Sequence, residues 1–269
     1  MSSTFPDGPL WLIGCGNMGG AMLRRWIAAG LDPKTVTVIT RSGKGAPDGV
    51  RALTALPDEE APATLMLALK PQQIDAAQAL LAPMRGAPKL LLSILAGVDH
   101  ATLIDRFAAD AIVRAMPNLP VAIGKGVTSL YTSDAPEEAI AAAEAFAAPL
   151  GHYEWIAEEA QFDAVTALAG CGPGFVFRFA DALARAGTAL GLPADQAARL
   201  AIATLEGAAV MAADSDVSPA MLADRVASPG GSTREGLNVL DHDDALVALL
   251  IETLAASARR NAEMAAAAR

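Results

Sequence analysis

Short, uniformly apolar runs separated by helical stretches organise the first half of the chain. Leu10–Ile13 and the β-branched Val36–Ile39 read as strands, as do Leu65–Leu69, Leu90–Leu95, Ile112–Ala115, Val127–Tyr131 and His152–Ile156. Apolar runs without polar alternation are expected of parallel strands covered on both faces. Asn17–Ala29, closed by Gly30, and Pro136–Ala148 carry a helical pattern between them. Alternating strands and helices predict an α/β unit with a doubly wound parallel sheet. No convincing strand follows Ile156. The remainder reads as helices over Glu158–Leu168, Pro173–Leu190, Ala194–Ala213, Pro219–Val226, Ser232–Leu240 and Asp243–Ala267. Gly191-Leu192-Pro193 breaks the long pair, with proline at a helix start. The expected division is therefore an α/β domain over 1–157 and an all-α domain over 158–269. The Ala-rich helical half is too apolar for solitary helices and is expected to pack on itself or on a second subunit.

Composition narrows the class. The chain has 269 residues, 53% hydrophobic and 19% charged, which excludes a disordered chain and allows a full core without staples. Its net charge of −10 disfavours nucleic acid and anionic membranes as partners. Two cysteines, Cys15 and Cys171, form no disulfide framework, so a cytoplasmic location is expected. No basic segment precedes an apolar stretch at the N-terminus, and runs such as Ala245–Ile251 are far shorter than a membrane span.

The strongest local motif is Gly14-Cys15-Gly16-Asn17-Met18-Gly19, directly after the first strand and opening a helix. The first glycine permits a tight turn, the second lets a pyrophosphate approach the backbone, and the third allows close helix–strand packing. The helix N-terminus adds N–H groups and a positive dipole. The second strand ends Thr40-Arg41-Ser42 without a carboxylate, where an NAD site ordinarily places one for the ribose. A guanidinium and a hydroxyl suit a 2′-phosphate, so NADPH is favoured, with NADH as the alternative. Ala68-Leu69-Lys70-Pro71 follows the third strand at the edge that faces ligand in such sheets. Lys70 reads there either as a cofactor contact or as a solvated turn residue. Ser93–Gly97, which includes Ala96, and Met116-Pro117-Asn118 end two further strands as candidate pocket walls.

Ser228-Pro229-Gly230-Gly231-Ser232-Thr233 lies between two helices. Two readings fit it. One is an anion nest of N–H groups and two hydroxyls for a small carboxylate. The other is a capped turn, with Ser232 as N-cap and Glu235 completing a capping box. Gly170–Gly174 is a flexible loop with a good helix start. His100, His152 and His242 lack zinc spacing and read as surface or capping residues. No nucleophile elbow is present. Glu158 and Glu159 read as a solvated helix start or as groups near a domain junction. Trp11, Trp26 and Trp155 read as packing residues.

Taken together, these stretches resemble the pyrroline-5-carboxylate reductases over nearly the whole chain. The resemblance is carried by IGCGNMGGAM, ALKP, SILAG and RAMPNLP in the first half. In the second it is carried by DAVTALAGCGPGF, ALGLP and ASPGGSTREGL. It implies a Rossmann dinucleotide-binding domain followed by an all-α substrate-binding and dimerisation domain. It implies reduction of L-1-pyrroline-5-carboxylate to L-proline by hydride from NADPH, in a homodimer or decamer. The substrate would lie where the helical domain of one subunit meets the cofactor of another. By the same resemblance Thr233 contacts the imine nitrogen, Gly230, Gly231 and Ser232 hold the substrate carboxylate, and Glu159 lies near the substrate. Leu69, Lys70 and Ala96 match cofactor contacts, and Ser42 sits at the adenosine phosphate. Cys171 departs from the common serine, Gly43–Thr64 is short, and an adenine-side asparagine is missing. Competing expectations are a related imine or hydroxyacid reductase, the latter with a helical lysine over its substrate, and a non-catalytic NADPH-binding regulator.

Overall fold

The computed structural model describes residues 5–267. Among the described residues, eight strands form one sheet: β1 (Leu10–Ile13), β2 (Val36–Ile39), β3 (Arg51–Leu53), β4 (Thr64–Leu67), β5 (Leu90–Ser93), β6 (Ile112–Pro117), β7 (Gly126–Tyr131) and β8 (Gly151–Trp155). Their order is β3-β2-β1-β4-β5-β6-β7-β8. The central strands are apolar throughout because the pleat sends alternate residues into two cores. Leu10 and Leu12 join the core that contains Met66, Leu90 and Leu92. Trp11 and Ile13 join the opposite one with Leu65, Leu67 and Leu91.

Four helices cover the two faces. On one face lie α1 (Asn17–Ala28) and α4 (Glu137–Ala147). Trp26 of α1 stacks edge-on against Phe146 of α4 and donates its indole N–H to the Phe146 carbonyl at 2.7 Å. On the other lie α2 (Ile74–Leu81) and α3 (His100–Arg106).

The expected all-parallel sheet needs one correction. β7 runs antiparallel to β6, with Arg114 opposite Tyr131. The link between them holds only a short 3₁₀ turn, Leu119–Ile123, and a parallel return needs a crossover of about a dozen residues. β8 then pairs parallel to β7 through α4. The pattern of apolar residues does not announce the edge strand β3 or the short helices α2 and α3.

The chain divides into two compact units. One comprises residues up to Cys171 and from Ser257 onward, and the other spans Gly172–Ala256. The sheet ends near the expected boundary at 157, but residues 158–171 still pack on it. Glu159–Gln161 is a 3₁₀ turn, α5 spans Phe162–Val165, and Thr166–Gly170 is a π-helical turn, where the sequence pattern predicts a single helix. Asn118 at the end of β6 donates to the Ala169 carbonyl at 2.9 Å. Ser257 donates to the Cys171 sulfur at 3.2 Å, so the last turns of the final helix also belong to this unit.

The second unit contains α6 (Gly172–Ala189), α7 (Ala194–Ala213), α8 (Pro219–Arg225), α9 (Ser232–Asp241) and the first part of α10 (Ala245–Ala267). Helices α6 and α7 approach closely through small residues: a Cβ on Gly187 would stand 3.5 Å from that of Ala197. Gly191 between them has φ +103°. This unit buries few large side chains. Phe177 is 60% exposed, Ile202 61%, Met211 63% and Ile251 62%. So many exposed large apolar side chains in one helical unit point to an interface with another chain.

Candidate active site

The carboxyl ends of β1, β2 and β4 open onto a cleft of about 960 Å³. The glycine loop forms its floor, and each glycine has a visible reason. Gly14 has φ +90°, and a Cβ there would lie 2.5 Å from the Ala68 carbonyl oxygen. A Cβ on Gly19 would lie 2.7 Å from that of Ala68, so helix and strand approach as closely as backbone allows. Around Gly16 the space is open. Gly16 is also the N-cap of α1 and makes no side-chain hydrogen bond, so the first-turn N–H groups keep their capacity for an anion. These features fit a dinucleotide pyrophosphate.

Of the expected cofactor residues, Gly14, Gly16, Asn17, Met18, Gly19, Arg41, Ser42, Ala68, Leu69, Lys70 and Ala96 all line this cleft. Pro71 does not. It opens a 3₁₀ turn and lines a second cavity of about 200 Å³. The two cavities share Ala96 and Met116. The cleft is also lined by Lys44, Thr54 and Gln73, which sequence reasoning does not single out. Lys44 stands three residues after Arg41 in the same loop, and that proximity is the available signal.

The charge of the cleft is opposite to that of the chain. Arg41, Lys44 and Lys70 line it, and among the described residues no Asp or Glu does. The whole chain carries 30 acidic against 20 basic side chains. A positive cleft in an acidic protein focuses attraction on a multiply charged anion.

The smaller cavity is bordered by Arg114, Phe162 and Asn261. The Nδ2 of Asn261 is buried without a hydrogen-bond partner among the described residues. Arg114 is buried, lies over the Phe162 ring at 3.9 Å and pairs with Glu159. Glu159 also accepts from the His100 backbone N–H at 2.6 Å. The carboxylate expected near substrate is thus engaged by two donors within the fold.

His100 is buried, a correction to the surface role expected for it. Its Nε2 meets the Ile112 carbonyl at 2.9 Å and its Nδ1 the Ser133 hydroxyl at 3.2 Å. The carbonyl only accepts, so Nε2 carries the proton and Nδ1 accepts from Ser133.

In the helical unit, Gly230 has φ +69° and Gly231 N–H donates to the Ser228 carbonyl at 2.9 Å. This turn makes Gly231, not Ser232, the N-cap of α9, and no side chain caps it. The capping box with Glu235 is therefore absent. The helix starts at Ser232 as expected, the left-handed Gly230 sets the cap at Gly231, and Ser232 and Thr233 lie exposed in the first turn. Arg234 ties α9 to α8 through Asp224 at 2.7 Å. Gly230, Ser232 and Thr233 are exposed and Gly231 is half-buried, so two hydroxyls lie together at the N-terminus of α9.

A dinucleotide-binding sheet followed by an apolar, interface-forming helical unit defines a nicotinamide-dependent oxidoreductase that assembles through its helices. Comparison with known proteins narrows this. Residues 159–264 match the family model for pyrroline-5-carboxylate reductase dimerisation. Residues 10–97 match that for NADP oxidoreductase, coenzyme F420-dependent. The chain is 35% identical to the pyrroline-5-carboxylate reductase of Synechocystis sp. over 95% of its length and 97% of the relative's. It is 34% identical to that of Pseudomonas aeruginosa, covering 94% of this chain and 95% of the other. A solved pyrroline-5-carboxylate reductase from Coxiella burnetii superposes with a TM-score of 0.82 at 29% identity, covering 96% of this chain and 98% of that one. The chain belongs to the pyrroline-5-carboxylate reductase family.

Proposed function

We propose that the protein reduces the cyclic imine L-1-pyrroline-5-carboxylate to L-proline, the closing step of proline biosynthesis, with NADPH as reductant. Family membership gives the reaction, and the carboxylate-free cationic cleft is the observation that favours NADPH. When bound, the nicotinamide supplies the hydride. The glycine loop and α1 hold the pyrophosphate, Arg41 and Ser42 the 2′-phosphate, and Leu69, Lys70 and Ala96 the rest of the cofactor. Gly230, Gly231 and Ser232 hold the substrate carboxylate at the α9 N-terminus. Fixing one end of a small rigid ring fixes the other, and orientation of this kind removes several kcal/mol of a barrier. Thr233 supports the ring nitrogen by hydrogen bonding, which favours its protonated, more electrophilic form. A side-chain hydroxyl is a poor acid, so Thr233 relays a proton from water or substrate. Residues 158–269 contain no lysine. That removes the helical lysine a hydroxyacid reductase would place over its substrate.

Arg41→Ala is expected to raise the Michaelis constant for NADPH and leave that for NADH nearly unchanged. The lost charge-assisted hydrogen bond is worth about 1.5–3 kcal/mol. Steady-state kinetics with both cofactors checks this, and equal effects on the two contradict it.

The exposed apolar faces of α6, α7 and α10 are expected to be covered by a second chain, giving a homodimer at least, with a decamer as the larger form. Sedimentation at assay concentration should show no active monomer. An active monomer would mean that one chain carries a complete site.

A further inference from the structure

The loop after β2 is folded back on itself. Gly43 N–H donates to the Thr40 carbonyl at 3.2 Å, and the Thr40 hydroxyl donates to the Lys44 carbonyl at 3.3 Å. Gly43 and Gly45 take φ +62° and +94°, left-handed backbone that glycine adopts without steric cost. The end of β3 backs the turn: Thr40 N–H donates to the Leu53 carbonyl at 3.0 Å. The Cys15 thiol then donates to the Gly45 carbonyl at 3.4 Å. Cys15 belongs to the glycine loop, so this contact clasps the two loops that border the cleft.

The clasped loop presents Arg41, Ser42 and Lys44 to one cleft. Neither Arg41 nor Lys44 has an acidic partner among the described residues, although the chain has an excess of carboxylates. Two unpaired cations in one tight turn repel each other, and an anion of more than one charge relieves that repulsion. A thiolate has no proton to donate. Burial pushes the Cys15 thiol up, against the weaker opposite pull of Arg24, and so keeps it a donor.

We propose that Lys44 is a second cation for the 2′-phosphate, beside Arg41, and that the Cys15 thiol is a positioning residue that holds this loop against the glycine loop. The proposal rests on the NADPH reading of the cleft and assigns two residues within it. The cation supplies discrimination for the phosphate, and the clasp supplies the geometry.

Calorimetric binding of 2′,5′-ADP and 5′-ADP to the intact protein tests it without turnover. The unsubstituted protein is expected to prefer 2′,5′-ADP. Lys44→Gln should weaken 2′,5′-ADP about tenfold and 5′-ADP by less than about twofold. Cys15→Ala should weaken 2′,5′-ADP about threefold, and Cys15→Ser, which keeps a donor, should restore it. Added salt should erode the preference of the unsubstituted protein more than that of Lys44→Gln. Equal weakening of both ligands by Lys44→Gln, or none, overturns the proposal. So does a Cys15→Ala variant that discriminates like the unsubstituted protein. If the unsubstituted protein shows no preference, the proposal falls together with the NADPH reading, which separates the two failures.

Discussion

Thr233→Ala is expected to lower kcat by about tenfold or more while fold and cofactor affinity stay intact. Thr233 is exposed in the first turn of α9, the helix is capped by Gly231 backbone, and no side chain completes a capping box. A purely structural threonine there contributes a few tenths to about 1 kcal/mol, so its loss barely moves the melting temperature. A hydroxyl that supports the imine nitrogen acts on the transition state, and its loss appears in kcat. Thr233→Ser keeps the hydroxyl and should retain most activity. Kinetics of both variants, a melting curve and a cofactor titration decide the matter. Unchanged turnover in the alanine variant removes Thr233 from the mechanism, and activity that falls only with unfolding makes its role structural.

The second large effect concerns stability. Glu159→Ala is expected to destabilise the sheet unit by about 3 kcal/mol, the lower end for breaking a buried ion pair, because Glu159 is partly exposed. The variant strands the guanidinium of Arg114, whose side chain is 9% exposed, and leaves the His100 N–H at the start of α3 without its acceptor. In a chain of this size that loss lowers Tm by roughly 6–10 °C. Glu159→Gln keeps an acceptor for both donors and should lose less. Replacing Arg114 and Glu159 together by apolar residues should recover part of the loss, since no charge is then left unpaired. Thermal melts of the three variants check this. A Glu159→Ala variant with unchanged Tm and reduced kcat would place the carboxylate at the substrate instead.

Legible and hidden features of the sequence divide along physical lines. Leu10–Ile13 and Val36–Ile39 are legible as strands because both faces of a central parallel strand are buried, and burial leaves a continuous apolar run. β3 leaves no such trace: it is a short edge strand whose Arg51 is exposed, held by pairing to β2 rather than by burial. The reversed direction of β7 is written in the length of the preceding connection and not in its own residues. The glycine fingerprint is legible because φ at Gly14 and the close approach at Gly19 admit no other residue. The start of α9 at Ser232 is legible, but its N-cap is not: Ser232 and Glu235 satisfy a capping rule, while the left-handed Gly230 places Gly231 at the cap. Arg114 and Glu159 are 45 residues apart, and only the tertiary fold pairs them. His100 reads as a surface residue for the same reason: its partners on β6 and at Ser133 come from other elements.

The most direct test of the account is turnover of the purified protein with L-1-pyrroline-5-carboxylate and NADPH, tracking cofactor oxidation and proline formation together. The account predicts one proline formed for each NADPH oxidised, with a lower Michaelis constant for NADPH than for NADH. A protein that binds NADPH through the cleft yet forms no proline from this imine would contradict it.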